Sequence, residues 1–286
     1  MPRYAAIDIG SNSIRMQAAE VRGGGETSIL AADRRVVRLG ESVFRDGAIS
    51  AGAMALACST LEKMAAQYRQ FDVAGVRAVA TAAVRDTRNQ AEFVEHASAA
   101  AGAPVEIITG REESRLIHLG VQSRWPHPGS RILIIDIGGG SAETISSDQG
   151  HMREAVSRPL GAVRLHEIFI SGDPAAPGEL HRMREYIELR VSGSARRFGA
   201  TGWDRVVATS ATASAVVSAV NRIPRSKREL ADRKRATTAQ VRRLAKELGA
   251  MSLAARRKVI GIGPSRAEII VPGVLVLLSI LEEFGA

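Results

Sequence analysis

The chain has 286 residues, of which 45% are hydrophobic and 24% are charged. This composition is that of a folded globular protein and excludes an intrinsically disordered chain, and the length suits two domains of ordinary size. The single cysteine, Cys58, excludes a disulfide framework, and we interpret it as a small buried hydrophobic residue. The formal net charge of +9 favours polyanionic partners.

No segment predicts a membrane span or a surface on which nucleic-acid bases could stack. The longest apolar segment, residues 269–281, is interrupted by Pro272 and Gly273 and is too short to cross a bilayer. The N-terminal residues lack a signal-peptide pattern, so we expect a cytoplasmic protein without a membrane partner. Basic residues concentrate in 222–243 without interleaved aromatic residues. We therefore expect no specific nucleic-acid partner and interpret this run as a solvated helix face.

The N-terminal motif is a short apolar strand followed by a polar turn. Residues 4–9 predict the strand, and Ser11, Asn12 and Ser13 come directly after Gly10. Backbone N–H groups in such a turn can point together toward one anion, so we interpret these three residues as part of a phosphate-binding loop. An ordinary tight turn is the alternative for this motif when it is considered alone.

Strands and helices are predicted in mixed order after this loop. Strands at 14–21 and 27–39 are joined by a glycine turn at 23–25, and Ser50 caps a helix that runs to about Tyr68. This order indicates an α/β domain with a sheet that is not purely parallel.

Arg85 follows a further strand, predicted at 76–81. Ligands of open α/β sheets bind beyond the carboxyl ends of the strands, so this arginine is expected at the site. Its planar fork of donors matches phosphate oxygens, which makes it a candidate phosphate clamp. The alternative is a surface ion pair with Asp86 or Glu92.

Two glutamates open the next predicted helix. A strand at 105–108 leads to Gly110, and Glu112 and Glu113 lie in the first helical turn. Acidic residues at this position complement the helix dipole, which is a sufficient explanation for one of the two. The other lies beside the end of a strand, where a carboxylate could act as a general base on water.

The second half of the chain repeats the N-terminal plan. The apolar segment 131–135 predicts a strand buried on both faces, and Asp136 lies 136 − 8 = 128 residues after Asp8 at the matching position. The phosphate-binding residues expected in this second loop are Gly138, Gly139, Gly140 and Ser141. The duplication predicts two related α/β domains that face each other across a cleft, with the turn-rich segment 125–129 between domains 1–125 and 126–286.

Asp136 and Glu143 predict a metal site beside the second loop. A carboxylate next to a bound phosphate is unfavourable unless a cation lies between them, so a divalent metal ion is implied. After this motif, the strand at 206–209 leads into a third loop at 210–215 that contains no glycine.

These motifs together resemble the exopolyphosphatase / guanosine pentaphosphate phosphohydrolase family, within the actin-like, sugar-kinase and heat-shock ATPase superfamily. The motifs that carry the resemblance are Asp8–Ser13, Ala80–Arg85, Thr109–Arg115 and Asp136–Glu143. The resemblance implies an α/β protein with two actin-like (ribonuclease H-like) domains, mixed β-sheets flanked by helices and an active site in the interdomain cleft. It assigns Glu113 as the catalytic base, and Asp136 and Glu143 as ligands of Mg²⁺ or another divalent cation.

The function implied by the resemblance is hydrolysis of the terminal phosphate of inorganic polyphosphate. Removal of the 5′-γ-phosphate of guanosine pentaphosphate is an alternative, and a non-catalytic polyphosphate or nucleotide sensor is another. A homodimer is retained as an option. Two departures from the family pattern are the third loop without glycine, for which we expect weak ATP binding, and a chain that stops at Gly285-Ala286 before the family's usual last strand and turn.

Overall fold

The computed structural model describes residues 1–23, 26–126, 130–199 and 202–286. The chain forms two compact units, Met1–Thr109 and Gly110–Ala286. This division lies earlier than the boundary expected after residue 125, because the helix that begins at Gly110 packs on strands of the second unit. The predicted turns at 23–25 and 125–129 are described only in part, because residues 24–25 and 127–129 lie outside the described residues.

The first unit is a mixed sheet with helices. Its strands are β1 (Arg3–Ile9), β2 (Ser13–Val21), β3 (Thr27–Val36), β4 (Gly75–Ala80) and β5 (Val105–Ile107). Its helices are α1 (Leu39–Asp46), α2 (Ala51–Tyr68), α3 (Ala82–Asp86) and α4 (Gln90–Ala101). The sheet order is β3-β2-β1-β4-β5, in which β2 pairs antiparallel with both neighbours and β4 pairs parallel with both of its own.

The second unit has the same plan with one strand fewer among the described residues. Its strands are β6 (Arg131–Ile137), β7 (Ala142–Asp148), β8 (His151–Arg158) and β9 (Arg205–Thr209), in the order β8-β7-β6-β9. Its helices are α5 (Gly110–Arg124), α6 (Ala162–Phe169), α7 (Pro177–Val191), α8 (Ser194–Arg197), α9 (Ser210–Val220), α10 (Thr238–Ala250), α11 (Leu253–Arg256), α12 (Pro264–Ala267) and α13 (Ile270–Glu283).

The strand orders confirm the predicted duplication. Strands β1, β2, β3 and β4 correspond to β6, β7, β8 and β9, with the same antiparallel and parallel pairings. The two loops also close in the same way: the N–H of Gly10 donates to the carbonyl of Ser13 at 3.2 Å, and the N–H of Gly138 donates to that of Ser141 at 3.0 Å. Each unit therefore ends its central strand in the same kind of turn.

The two faces of the second sheet are covered differently. The largest hydrophobic core lies on one face, where α13, α10 and α7 pack around buried strand residues such as Leu133 and Ile135. A smaller core lies on the other face, where Val121 of α5 meets Ile132 and Ile134. Successive strand residues point to opposite faces, so Asp136 shares the face of Ile132 and Ile134, which α5 covers.

Three predictions about regular structure are wrong. The third loop expected at 210–215 is instead the first half of helix α9, so the name third loop is kept below for the junction of β9 and α9 at Ser210. The strand predicted at 27–39 ends at Val36, and Leu39 begins helix α1. The basic run 222–243 is not one helix face, because it consists of turns and a 3₁₀ segment at Arg225–Ala231 before α10 begins. No helix among the described residues is both long and apolar enough to cross a membrane.

Candidate functional site

The first loop is held by the N-terminal end of helix α1. The carbonyl of Ser11 accepts a hydrogen bond from the N–H of Gly40 at 2.7 Å, and the carbonyl of Asn12 accepts from Val37 and Arg38, each at 3.1 Å. Both loop residues are buried. Their carbonyl groups therefore point toward the start of α1. Because the carbonyl and N–H groups of a trans peptide point in opposite directions, the N–H groups that follow them point away from α1.

Arginines stand beside the first loop on the sheet. Asp8 lies opposite Arg15 on β2, and Arg15 lies opposite Arg34 on β3. The Nε of Arg34 donates to the Oγ of Ser13 at 3.3 Å, so its charge lies directly next to the loop. The predicted phosphate loop is thus in a basic environment within its own unit.

Arg85 lies in the last turn of the short helix α3. Its Nη1 donates to the carbonyl of Ile108 at 2.7 Å, just beyond the end of β5. This hydrogen bond fixes the side chain near the carboxyl ends of β4 and β5, where the sequence places it.

The second loop is held by helix α6. The carbonyl of Gly138 accepts from the N–H of Ala162 at 3.0 Å, and the carbonyl of Gly139 accepts from Val163 at 2.9 Å and from Arg164 at 3.0 Å. The Nε of Arg164 donates to the carbonyl of the third glycine, Gly140, at 2.7 Å. The same arrangement of a loop against a helix start therefore occurs in both units.

Carboxylates and hydroxyls form a continuous row across the second sheet. Asp136 and Glu143 are direct cross-strand neighbours on β6 and β7, Ser157 on β8 lies opposite Glu143, and Thr209 on β9 lies opposite Asp136. The hydroxyl of Ser157 donates to Oε1 of Glu143 at 2.8 Å, and the hydroxyl of Thr209 donates to Oδ2 of Asp136. We call these four residues the sheet row.

Glu143 is fully buried in the middle of this row. Burial raises the pKa of its carboxyl well above the ordinary value, and the charges of Glu113 and Asp136 raise that pKa further, whereas hydrogen bonds from Ser157 and Ser141 lower it. The structure therefore brings three predicted site residues together: Glu113 from helix α5 and the two predicted metal ligands.

The two glutamates of α5 have different surroundings. Glu112 forms a bidentate ion pair with Arg115, with N–O distances of 2.7 and 2.9 Å, on the solvent side of the helix. Glu113 points to the sheet row, and its Oε2 is inaccessible to solvent. The structure thus separates a surface acid from a site acid at neighbouring positions.

A glycine allows α5 to approach the sheet row. A Cβ on Gly110 would lie 2.4 Å from the Cβ and 2.5 Å from the Oγ of Ser157. The first residue of α5 therefore contacts the serine that binds Glu143. Neither Ser157 nor this role of Gly110 was expected from the sequence.

The chemistry of the sheet row suits a hard cation. Oε2 of Glu143 is buried, with the hydroxyl of Ser141 and the charges of Glu113 and Asp136 nearby. Such oxygen donors are the ligands that Mg²⁺ prefers. Within the part of the chain that the structure describes, no three His, Cys, Asp or Glu side chains are already arranged around one metal position. The donor types fit a divalent cation, although the described side chains are not arranged around one in this structure.

The third loop has the backbone of a glycine turn. Ser210, at the start of α9, has φ 77°, in the region that favours glycine. Its Oγ donates to the carbonyl of Ile137 at 2.8 Å. The sequence shows that this segment contains no glycine. The structure shows that Ser210 adopts the backbone conformation that favours glycine.

We expect Glu143→Gln to stabilise the protein at neutral and alkaline pH. The raised pKa means that the neutral carboxyl contributes stability in acid, and that this stability is lost as the pH rises through the folded-state pKa. A glutamine stays neutral throughout. The measurement is the thermal unfolding midpoint in chelator between pH 5 and pH 8.

The difference between Glu143→Gln and the wild type should grow with pH, whereas Glu188→Gln, at an exposed position on α7, should show no such trend. A constant difference across this range would contradict a buried, charge-crowded Glu143.

Comparisons with known proteins agree with this geometry. Exopolyphosphatase 1 of Mycobacterium tuberculosis (strain ATCC 25618 / H37Rv) and that of Mycobacterium bovis are each 29% identical over 280 residues, covering 96% of this chain and 80% of the relative. A crystal structure of the Aquifex aeolicus member of the Ppx/GppA protein family is 28% identical, with a TM-score of 0.80 over 99% of this chain and 91% of the other.

A crystal structure of an exopolyphosphatase from Cytophaga hutchinsonii has a TM-score of 0.85 over 98% of this chain and 90% of that chain, at 24% identity. It supports the fold, and the expected class of mixed sheets flanked by helices in two units is confirmed. The model of the Ppx/GppA phosphatase family matches residues 18–286. The chain therefore belongs to the Ppx/GppA phosphatase family.

Proposed function

We propose that this protein is an exopolyphosphatase, which hydrolyses the terminal phosphoanhydride bond of inorganic polyphosphate and releases orthophosphate. The observation that carries the proposal is the position of Glu113 next to the Asp136–Glu143 pair, in the unit that also presents the glycine loop. A carboxylate base, a candidate cation site and an anion-binding loop are the parts that water-driven phosphoanhydride cleavage needs. The names of the mycobacterial relatives support the same activity.

Substrate binding is assigned to backbone amides and arginine. In the first unit, Ser11, Asn12 and Ser13 would bind phosphate oxygens beside Arg34, and Arg85 would add a second cationic fork. In the second unit, the same role falls to the loop 138–141. Amide donors of this kind are fixed before the substrate arrives, so they stabilise developing negative charge without reorganisation.

Glu113 is assigned as the general base. Its carboxyl lies close enough to Glu143 for their charges to interact, and its Oε2 is buried at the sheet row. Glu113 would orient the attacking water and take its proton. Glu112 is held by Arg115 and is not assigned a catalytic role.

Asp136 and Glu143 would hold a divalent cation, for which we propose Mg²⁺. When bound, the cation neutralises charge on the transferring phosphoryl group. The hydroxyls of Thr209 and Ser157 keep the two carboxylates in place on their strands. The cation also makes the burial of Glu143 in its charged form less costly.

The direct test is phosphate release by one purified sample, with long-chain polyphosphate and guanosine pentaphosphate as separate substrates. We expect turnover of polyphosphate. Turnover of guanosine pentaphosphate alone would replace the proposed substrate, and binding of polyphosphate without turnover of either compound would indicate a sensor.

We expect Glu113→Gln to lower kcat on polyphosphate by about a hundredfold or more, since positioned general bases contribute about 10²–10⁴. Binding should stay within a few-fold, because the amide keeps the shape of the side chain but cannot accept the proton. Steady-state kinetics and titration with polyphosphate are the measurements.

Glu112→Gln is the matched control for this variant, one residue earlier and ion-paired on the surface. Its effect should be much smaller. Equal losses of kcat from the two changes would remove Glu113 from the role of base.

Activity should require a divalent cation, and Asp136→Asn should raise the magnesium concentration needed for half-maximal activity by about tenfold or more, because one anionic oxygen ligand is lost. Excess chelator should stop turnover, and magnesium should restore it. Asp148→Asn removes a partly exposed carboxylate at the far end of β7 and should leave the magnesium requirement unchanged. Full activity in chelator would exclude the cation from the mechanism.

ATP should bind weakly compared with inorganic tripolyphosphate. In superfamily kinases a glycine loop lets the backbone approach adenosine, whereas here Ser210 carries a side chain at the corresponding glycine-like position. Isothermal titration of both ligands with magnesium measures the difference. Ser210→Gly should improve ATP affinity several-fold without changing that for tripolyphosphate. Low-micromolar ATP binding by the wild type would contradict the prediction.

A further inference from the structure

We propose that Arg164 is a positioning residue that holds the glycine loop 138–140 with its backbone N–H groups turned toward the substrate phosphate. The inference rests on the proposed function only in assigning phosphate binding to this loop. It concerns a side chain on α6, outside the motifs of strand, glycine and acid that define the site.

The first part of the argument is where the loop's carbonyl groups point. Those of Gly138 and Gly139 accept hydrogen bonds from the N–H groups of Ala162, Val163 and Arg164, at 2.9–3.0 Å. Carbonyl and N–H groups point in opposite directions across a trans peptide. When the carbonyls face α6, the N–H groups of the residues that follow them face away from it.

The second part is the contact made by the Arg164 side chain. Its Nε donates to the carbonyl of Gly140 at 2.7 Å, which extends the same pattern to the third glycine. Helix α6 has no further backbone N–H in position for this carbonyl, since its first amides are engaged by the other two. A charged donor makes a stronger hydrogen bond than a neutral amide. The guanidinium therefore fixes the peptide whose N–H belongs to Ser141.

The third part is the closeness of the loop to the start of α6. A Cβ on Gly161 would lie 2.3 Å from backbone atoms of both Gly139 and Gly140. Backbone thus packs directly on backbone, and the loop has little space to turn on that side. Arg164, partly buried, closes the remaining side.

The first unit offers an internal comparison. Its loop carbonyls at Ser11 and Asn12 also accept from the start of a helix, α1. The arginine that contacts the first loop is Arg34 on β3, whose Nε donates to the hydroxyl of Ser13 at 3.3 Å. The first loop is thus held by an arginine from the sheet, whereas the second is held by an arginine from the helix that follows its sheet.

The experiment compares Arg164→Ala, Arg164→Gln and Arg164→Lys with the wild type. We expect Arg164→Ala to raise both the KM for polyphosphate and the inhibition constant for orthophosphate by about tenfold or more, with a smaller fall in kcat. A tenfold change in these constants corresponds to the loss of one hydrogen bond that involves a charged group. Arg164→Gln, which keeps a donor but not the charge, should recover part of the loss.

Arg184→Ala is the control for a lost positive charge, since Arg184 lies exposed on α7 in the same unit. It should leave both constants near the wild-type values. Unchanged constants in Arg164→Ala would overturn the proposal. Full activity of Arg164→Lys, together with equal defects in the alanine and glutamine variants, would also overturn the proposal. That pattern would show that the positive charge matters and the hydrogen bond to Gly140 does not.

Binding of tripolyphosphate, measured by calorimetry in the full-length protein, gives a readout that does not need turnover. Absence of wild-type hydrolysis would refute the proposed function, whereas an unchanged tripolyphosphate affinity in Arg164→Ala would refute the present inference. If Arg164→Ala fails to fold, Arg164→Gln tests the hydrogen bond to Gly140, and Gly161→Ala tests the packing of the loop on the start of α6. Both should weaken tripolyphosphate binding, and wild-type affinity in both would overturn the proposal.

Discussion

The burial of Glu143 between two other carboxylates is the interaction on which the second unit depends. A buried negative charge is costly, and like charges beside it increase that cost. The fold offsets part of the cost with a hydroxyl from Ser157, and it keeps Glu113 close by setting Gly110 of α5 directly on that serine. Such crowding is maintained only by a rigid surrounding, which the sheet and the two hydrophobic cores supply. Proton uptake and cation binding are the two processes that relieve it.

The duplicated scaffold carries opposite charges in its two copies. At matching sheet positions, the first unit has Asp8, Arg15 and Arg34, and the second has Asp136, Glu143 and Ser157. The order of the four corresponding strands and the loop closure are the same, so the difference in charge at these positions comes from the side chains. One copy places two arginines beside its loop, as the proposed anion site requires, and the other gathers acids, as the proposed cation site and base require. A common strand arrangement thus carries two different sets of side chains.

Much of this could be predicted from the sequence, because strands, glycine turns and first-turn acids are local patterns. Ser157 could not. A simple hairpin around the turn at 149–150 would place Val156 opposite Glu143, but a bulge between Ser146 and Ser147 shifts the register by one residue and brings Ser157 there instead. A shift of one residue exchanges the two faces of a strand. The contacts of Arg164 and Gly161 were missed for a related reason, since they join segments that are about 20 residues apart.

Ser210 shows how a loop can keep its shape after losing its glycine. A residue with a Cβ at φ 77° is strained by roughly 1–2 kcal/mol. Its hydroxyl repays part of this by donating to the carbonyl of Ile137, the last residue of β6, and by accepting from the N–H of Thr212 at 3.3 Å. These contacts attach the third loop to the strand that carries Asp136. The serine therefore fixes the start of α9 to the end of the strand on which the acidic site is built.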